Sequence, residues 1–197
     1  MVEVSRRQAI EDVASDLFRE RGYAATSIRD IARALSMQGA SLYAHVTSKE
    51  DVLWAIVNRA ATRFEAAAER AEEAADARRP GDPAEAIAAL VRGHVTVLTA
   101  DVDEAGVFVN EWRALGGERR AEILDRRDAY QARFRRQIEA GIGVGAFVMT
   151  DPAIATSSIL SAINGVAAWY DPAGRLPAER IADHLVDLVL RMLEGPR

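Results

Sequence analysis

The chain has 197 residues and a formal net charge of −5, and 49% of its residues are hydrophobic, which is enough for a substantial buried core. It contains no cysteine, so disulfides and thiolate metal sites are excluded. The first residues are charged, and no later apolar run approaches the roughly 20 residues that a membrane-spanning helix needs. These features predict a cytoplasmic protein.

The negative charge is unevenly distributed along the chain. Residues 1–50 contain seven basic and seven acidic residues, so the net charge of −5 falls entirely on residues 51–197. Because an acidic surface repels DNA phosphates, a nucleic-acid partner is expected to dock on the neutral N-terminal part.

Three short helical segments occupy the first fifty residues. The first begins with a capping-box pattern at Ser5 and ends at the glycine stop Gly22. Thr26 or Ser27 caps a second helix, and a third runs from about residue 38 to residue 44. Three short helices, the last two joined by a tight turn, are the sequence outline of a helix-turn-helix.

The remainder of the chain is also helical. A capped helix that begins at Ser48 continues to a Pro- and Gly-containing linker at residues 79–83. No alternating strand pattern and no internal repeat follow, and the fold class is therefore all-α with about nine helices. An N-terminal domain at residues 1–50 and a second helical domain at residues 51–197 are predicted. The helices predicted after the linker span about residues 83–99, 102–115, 118–140, 152–170 and 177 onward.

Two stretches in the first fifty residues carry a family resemblance. They are Gly22-Tyr23 followed by Thr26-Ser27-Ile28-Arg29-Asp30-Ile31-Ala32, and Ser41-Leu42-Tyr43-Ala44-His45-Val46 followed by Ser48-Lys49-Glu50. In residue identity and spacing they resemble the TetR-type transcriptional regulators. The resemblance implies a three-helix DNA-binding domain, then a helical ligand-binding and dimerisation domain, with neither catalytic residues nor a cofactor. The sequence departs from the family's usual Gly, Ser and Phe at Ser36, Gln38 and Val46.

The resemblance places candidates for reading the bases just before Leu42. If Leu42 faces inward, its neighbours in the third helix face outward, and a glutamine there can pair with adenine through two hydrogen bonds. Small residues beside it allow close approach to the bases. The base-edge candidates are Gln38, Gly39, Ala40 and Ser41.

Candidates for holding phosphate lie at the end of the third helix and at the start of the next. The Tyr43 phenol and the His45 imidazole can reach phosphate oxygens, and the Lys49 ammonium lies beside free amides at a helix start. Thr26 and Ser27 are caps first and phosphate contacts second. The alternatives are that Tyr43 merely packs on the first helix and that Lys49 is a solvated surface charge.

Two C-terminal segments predict a homodimer interface, since the last two helices of the resembled family form a four-helix bundle across a twofold axis. Here residues 153–168 carry a strip of small residues, and the final helix has a wide apolar face that is hard to bury in a monomer. The alternative for either helix is a buried core position. The interface candidates are Ser157, Ser161, Gly165, His184, Leu188 and Met192.

Ligand-binding candidates are cationic or aromatic residues of the second domain. Arg127 interrupts an apolar stripe, and a buried guanidinium needs an anionic partner. That partner is either Glu111 or Asp103, or else a ligand phosphate or carboxylate. Arg113 poses the same choice, and the aromatic residues either line a cavity or belong to the core. The candidates are Phe108, Trp112, Arg113, Arg127, Tyr130 and Trp169.

A weaker pattern concerns the effector. Trp169-Tyr170-Asp171-Pro172 with Gly174-Arg175-Leu176, and residues 141–147 upstream, resemble the branch of TetR-type regulators that responds to acyl-CoA thioesters. Such a ligand combines a long apolar part with phosphates, which suits a hydrophobic pocket edged by arginine.

Other kinds of site are not indicated. The glycine run at residues 141–145 lacks the strand-turn-helix setting of a dinucleotide loop, the three histidines are not at metal-ligand spacing, and no nucleophile elbow occurs. The sequence thus predicts a homodimeric transcriptional repressor that binds a palindromic double-stranded DNA operator, responds to a small hydrophobic or acyl-CoA-type effector, and has no membrane partner. The alternative is a helical small-molecule binding protein or enzyme with a vestigial DNA-binding head.

Overall fold

The computed structural model describes residues 5–195, apart from the side chain of Ala40. All regular structure in that range is helical, which confirms the predicted all-α class. The elements are α1 (Arg6–Arg21), α2 (Ile28–Ala34), α3 (Gly39–Tyr43), α4 (Lys49–Arg78), α5 (Pro83–Ala100), α6 (Val102–Asn110), a 3-10 turn (Trp112–Ala114), α7 (Gly117–Gly143), α8 (Pro152–Asn164), α9 (Val166–Trp169) and α10 (Ala178–Glu194). None of these helices is long and apolar enough to cross a membrane.

Two of the predicted helices are interrupted. The one predicted at residues 102–115 ends at Asn110, whose side-chain amide donates to the carbonyl of Gly106 over 3.0 Å. The 3-10 turn that follows allows both Trp112 and Leu115 to be buried. The segment predicted at residues 152–170 contains α8 and α9, separated only by Gly165. The apolar spacing, which continues through both segments, does not reveal these breaks.

The chain divides into two compact units. The first comprises the residues up to Ala61 together with Asp103–Leu124, and the second comprises Thr62–Val102 and the residues from Asp125 onward. The long helices α4 and α7 therefore contribute residues to both units. The predicted domain boundary at residue 50 is drawn between a DNA-binding part and a ligand-binding part and not between compact units. It stays a prediction.

The first unit is built around the inward faces of its short helices and of the first turns of α4. The residues on these faces are apolar and fully buried, as the helical spacing predicts. They include Ile10, Ala14, Phe18, Ile31, Leu42, Val52, Leu53 and Ile56.

The second unit is organised around α5, which packs against α8, α9 and α10. Within this unit α4 and α7 run parallel, because residues later in α4 pair with residues later in α7. Arg126 Nε donates to Glu65 over 2.7 Å, and Arg133 donates to Glu72. Ion pairs therefore follow the seam between the two helices.

The end of α7 folds back on itself. The backbone N–H groups of Ala146 and Phe147 donate to the carbonyl of Gly141 over 2.9 and 3.1 Å. The buried Phe147 ring lies so close to Gly141 that a Cβ there would be 2.0 Å from the ring Cδ2. Gly141 is therefore required for this reversal of the chain.

Candidate nucleic-acid interface

The helix-turn-helix begins with a capping box on α2. The Ser27 hydroxyl accepts from the backbone N–H of Asp30 over 3.2 Å, and the Asp30 carboxylate accepts from the backbone N–H of Ser27 over 2.9 Å. The Ser27 hydroxyl also donates to the Asp30 carboxylate. This hydrogen bond and the one from the Ser27 backbone N–H, followed by the nearby charge of Arg33, lower the pKa of Asp30 although burial opposes the shift. Of the two predicted caps, Ser27 is the one that begins α2.

The turn between α2 and α3 is a Schellman motif. The backbone N–H of Met37 donates to the carbonyl of Ala32 over 2.8 Å, and that of Ser36 donates to the carbonyl of Arg33 over 3.0 Å. Ser36 has a φ of 53°, in the left-handed region that favours glycine. The tight turn is thus retained even though serine stands where the family usually has glycine.

The outward face of α3 carries the predicted base-edge candidates. Leu42 is buried, as is Val46 just beyond the helix, whereas Gln38 and Ser41 are exposed and Gly39 is half-buried. Gln38 occupies the N-cap position without making a capping hydrogen bond, so its amide is not used in holding the helix. The side chain of Ala40, the fourth candidate, lies outside the described residues.

The two aromatic phosphate candidates lie at the end of α3 and just beyond it. Tyr43 is 58% exposed, and His45 is also exposed. Both side chains are therefore accessible to a partner, as is Ser41.

Thr26 is buried instead of facing outward. Its side chain donates to the carbonyls of Gly22 and Leu17 over 3.0 and 3.3 Å, and the residue is only 2% exposed. The predicted second role of the Thr26 side chain on phosphate is therefore wrong, because its hydroxyl is directed into the turn between α1 and α2.

Lys49 does not extend into solvent. Its Nζ donates to the carbonyls of Tyr23 and Thr26, each over 2.8 Å, and lies 4.0 Å from the centroid of the Tyr23 ring. The alternative of a solvated surface charge is thereby excluded. The ammonium lies on the turn between α1 and α2.

An ion-pair cluster lies behind these helices in the first unit. Arg59 of α4 donates to Glu104 of α6, to Glu11 of α1 over 2.7 Å and to Asp12 over 3.4 Å. The side chain of Glu104 is 2% exposed and that of Glu11 is 9% exposed. Burial tends to lower the pKa of Arg59, but the hydrogen bond to Glu104 and the neighbouring carboxylates raise it overall. Sequence reasoning missed this cluster.

Comparison with known protein families decides the class of the molecule. The domain family described as bacterial regulatory proteins, tetR family, matches residues 10–56, and the one described as tetracyclin repressor-like, C-terminal domain, matches residues 80–193. The chain belongs to the TetR family. It is a transcriptional repressor and not an enzyme.

Individual relatives agree with this assignment over nearly the whole chain. The repressor KstR2 of Rhodococcus jostii is 27% identical over 194 residues, covering 97% of this chain and 92% of KstR2. The TetR-family regulator PfmR of Thermus thermophilus is 32% identical with a TM-score of 0.79, covering 92% of this chain and 97% of PfmR. AibR in complex with isovaleryl coenzyme A and operator DNA is 31% identical with a TM-score of 0.80, covering 98% of this chain and all of AibR.

The predicted ligand residues of this TetR-family repressor are divided between the two units. In the first unit Phe108 and Trp112 are buried, while the exposed Arg113 lies with its guanidinium carbon 4.6 Å from the centroid of the Trp112 ring. Asp103, one of the two carboxylates considered for Arg127, accepts from Arg19. In the second unit Trp169 is 58% exposed and thus belongs to the surface of that unit.

Tyr130 of this TetR-family repressor belongs to a buried polar cluster that sequence reasoning missed. His94 Nδ1 lies 2.9 Å from Tyr130 Oη, and His94 Nε2 lies 3.1 Å from Asn164 Oδ1. Burial lowers the pKa of His94 to about 3 and raises the pKa of Tyr130. His94 is therefore neutral. Its Nε2–H donates a hydrogen bond to the Asn164 side-chain oxygen, and its Nδ1 accepts one from the Tyr130 hydroxyl.

The predicted dimer residues of this TetR-family repressor belong to α8, α10 and the Gly165 junction after α8. Ser157, Ser161 and His184 are exposed and Gly165 is half-buried. Leu188 and Met192 are 61% and 48% exposed, an unusual position for large apolar side chains in a helix whose opposite face forms core.

Proposed function

We propose that this TetR-family repressor binds a double-stranded DNA operator with α3 in the major groove. The observation that carries the proposal is the exposed Gln38 amide, which has no capping role, beside Ser41 on a helix that buries Leu42. The NH2 group of such an amide can donate to adenine N7 while its oxygen accepts from the adenine N6 amino group, which is the bidentate arrangement that reads sequence. Gly39 and Ala40 allow the backbone to approach the bases.

Phosphate contacts position the same helix. Tyr43, the last residue of α3, and His45 just beyond it are exposed and have the donors for such contacts. Ser27 lies at the start of α2. Because the protein would act on chromosomal DNA, we place its activity in the cytoplasm.

The repressor binds a palindromic operator as a homodimer in this proposal. The exposed apolar residues of α8 and α10, with small residues between them, support a second copy of the chain as the occupant of that surface. Two heads related by a twofold axis would then enter successive major grooves on one side of the duplex.

The experiment begins with duplexes selected from a random library by the wild-type protein. Gln38→Ala should lose roughly 1–3 kcal/mol of discrimination at one base pair of each half-site. Gln131→Ala, which removes an exposed glutamine of the second unit, serves as the matched control and should leave the base preference unchanged. Analytical ultracentrifugation of the complex should give two protomers for each duplex.

Three outcomes would count against the proposal. Failure to select any duplex at low salt would favour a small-molecule binding protein with a vestigial head. An unaltered base preference in Gln38→Ala would show that Gln38 does not read the base. A complex of one protomer with one duplex would contradict the homodimer.

The effector in this proposal is a small hydrophobic or acyl-CoA-type molecule, and the acyl-CoA class is the one tested. The pattern at residues 169–176 and the 31% identity to AibR support it, as AibR was crystallised with isovaleryl coenzyme A. The ligand must bind the DNA-free conformation more tightly, so DNA and effector weaken each other by the same factor.

Calorimetry tests the effector class. Isovaleryl-CoA or a longer acyl-CoA should bind, and its affinity should fall in the presence of the selected duplex. Free coenzyme A, which lacks the acyl group, is the control that shows whether the acyl group contributes to binding. Absence of heat for every acyl-CoA at saturating concentration would reject this class while leaving the DNA-binding proposal intact.

A further inference from the structure

We infer that Lys49 is a positioning residue of the DNA-binding head, which fixes the turn between α1 and α2 and is not itself a phosphate ligand. The inference rests on the proposed DNA-binding function and assigns a new role to one residue of that site. It departs from the expectation that this ammonium holds phosphate.

The Lys49 ammonium is already engaged by the protein. Two of its three N–H donors point to the carbonyls of Tyr23 and Thr26 at 2.8 Å, and the Tyr23 ring lies against the cation at 4.0 Å. Both carbonyl oxygens carry a partial negative charge and face the ammonium. They take up two of the three donors of the ammonium, and a phosphate that displaced them would leave both carbonyls without this donor.

The turn that Lys49 holds determines where α2 begins. It consists of the few residues between the glycine stop Gly22 and the cap Ser27, and the Thr26 hydroxyl and the Tyr23 ring anchor it to α1. Lys49 joins α4 to this turn by two hydrogen bonds. Since α2 packs against α3, the position of the turn also affects the position of α3, whose N-cap is Gln38.

The side chain at this position must be compact and cationic. An ammonium can direct separate protons at two carbonyls and still lie on an aromatic face, whereas a planar guanidinium presents its donors in a fixed fork. Lys49→Arg therefore keeps the charge while disturbing the geometry. A phosphate ligand would tolerate that exchange, but a positioning residue would not.

The test compares Lys49→Met and Lys49→Arg with the wild type on the selected duplex across a range of salt. Both variants should lose affinity by on the order of tenfold or more, the equivalent of a charged hydrogen bond. The slope of log affinity against log salt should change much less than the roughly 0.9 expected for one lost phosphate contact. Amide exchange in the DNA-free variants should accelerate at residues 23–30 and stay unchanged in α10.

A slope that falls by about 0.9 in Lys49→Met, with wild-type affinity in Lys49→Arg, would overturn the inference. Unchanged amide exchange at residues 23–30 in both variants would also overturn it. That measurement needs no DNA, so it decides the role of Lys49 in the turn even if the wild type selects no duplex, a result that would instead reject the proposed function. If Lys49→Met does not fold, Lys49→Arg carries both readouts.

Discussion

Replacing Arg59 by methionine should lower the free energy of unfolding by about 3 kcal/mol, because breaking a buried ion pair leaves a carboxylate buried without that cation. The Arg59 side chain is only 26% exposed, and it joins carboxylates from α1 and α6. Without the cation, Glu11 and Glu104 also repel each other. The loss is measured by urea denaturation followed by circular dichroism.

Arg135→Met is the matched control for this substitution. Arg135 pairs with Glu139 one turn along α7, and both side chains are largely exposed, so the loss should be about 0.3–0.5 kcal/mol. A double variant of Arg59→Met with Glu104→Gln should recover part of the stability, because the buried negative charge is removed along with its cation. Equal losses for Arg59→Met and Arg135→Met would show that the cluster contributes no more than a surface pair.

Replacing Gly141 by alanine should destabilise the second unit by about 2–3 kcal/mol, the cost of overpacking a closed core. The new methyl carbon would lie 2.0 Å from Cδ2 of the Phe147 ring, and the ring cannot withdraw easily. The backbone N–H of Phe147 donates to the carbonyl of Gly141, and Phe147 is buried. The substitution therefore forces the chain reversal after α7 to open.

Gly143→Ala makes the same chemical change two residues later and is the matched control. Nothing lies within 4 Å of a Cβ at Gly143, and its φ is not in the left-handed region. It should be neutral or stabilising by up to about 1 kcal/mol, since alanine favours a helix over glycine. Thermal unfolding of the two variants measures the difference. Similar melting temperatures would contradict the assigned contact.

Several features of the site were visible in the sequence because they depend on near neighbours along the chain. Ser27 and Asp30 form a capping box three residues apart, and the stop at Gly22 follows its helix directly. The inward position of Leu42 follows from helical spacing, which also places Gln38 and Ser41 outside.

Other features were decided by contacts between residues that are distant in sequence. Threonine is a residue type that often caps a helix at the surface. The Thr26 hydroxyl instead donates to the carbonyl of Leu17, nine residues earlier, because the turn folds back on α1. The His94 cluster joins residues 36 and 70 positions apart, and no spacing rule connects them. Arg59 meets Glu104, 45 positions later, only once α4 and α6 have packed.

The sequence by itself determined the all-α class, the helix-turn-helix and the family, because caps, stops and apolar periodicity act within one or two helical turns. Only the tertiary structure decided which polar groups are available to DNA. Lys49 shows the reason. Its charge and its place at the start of α4 are legible in the sequence, but the two carbonyls that hold it lie 26 and 23 residues earlier, and helix packing alone brings them within 2.8 Å.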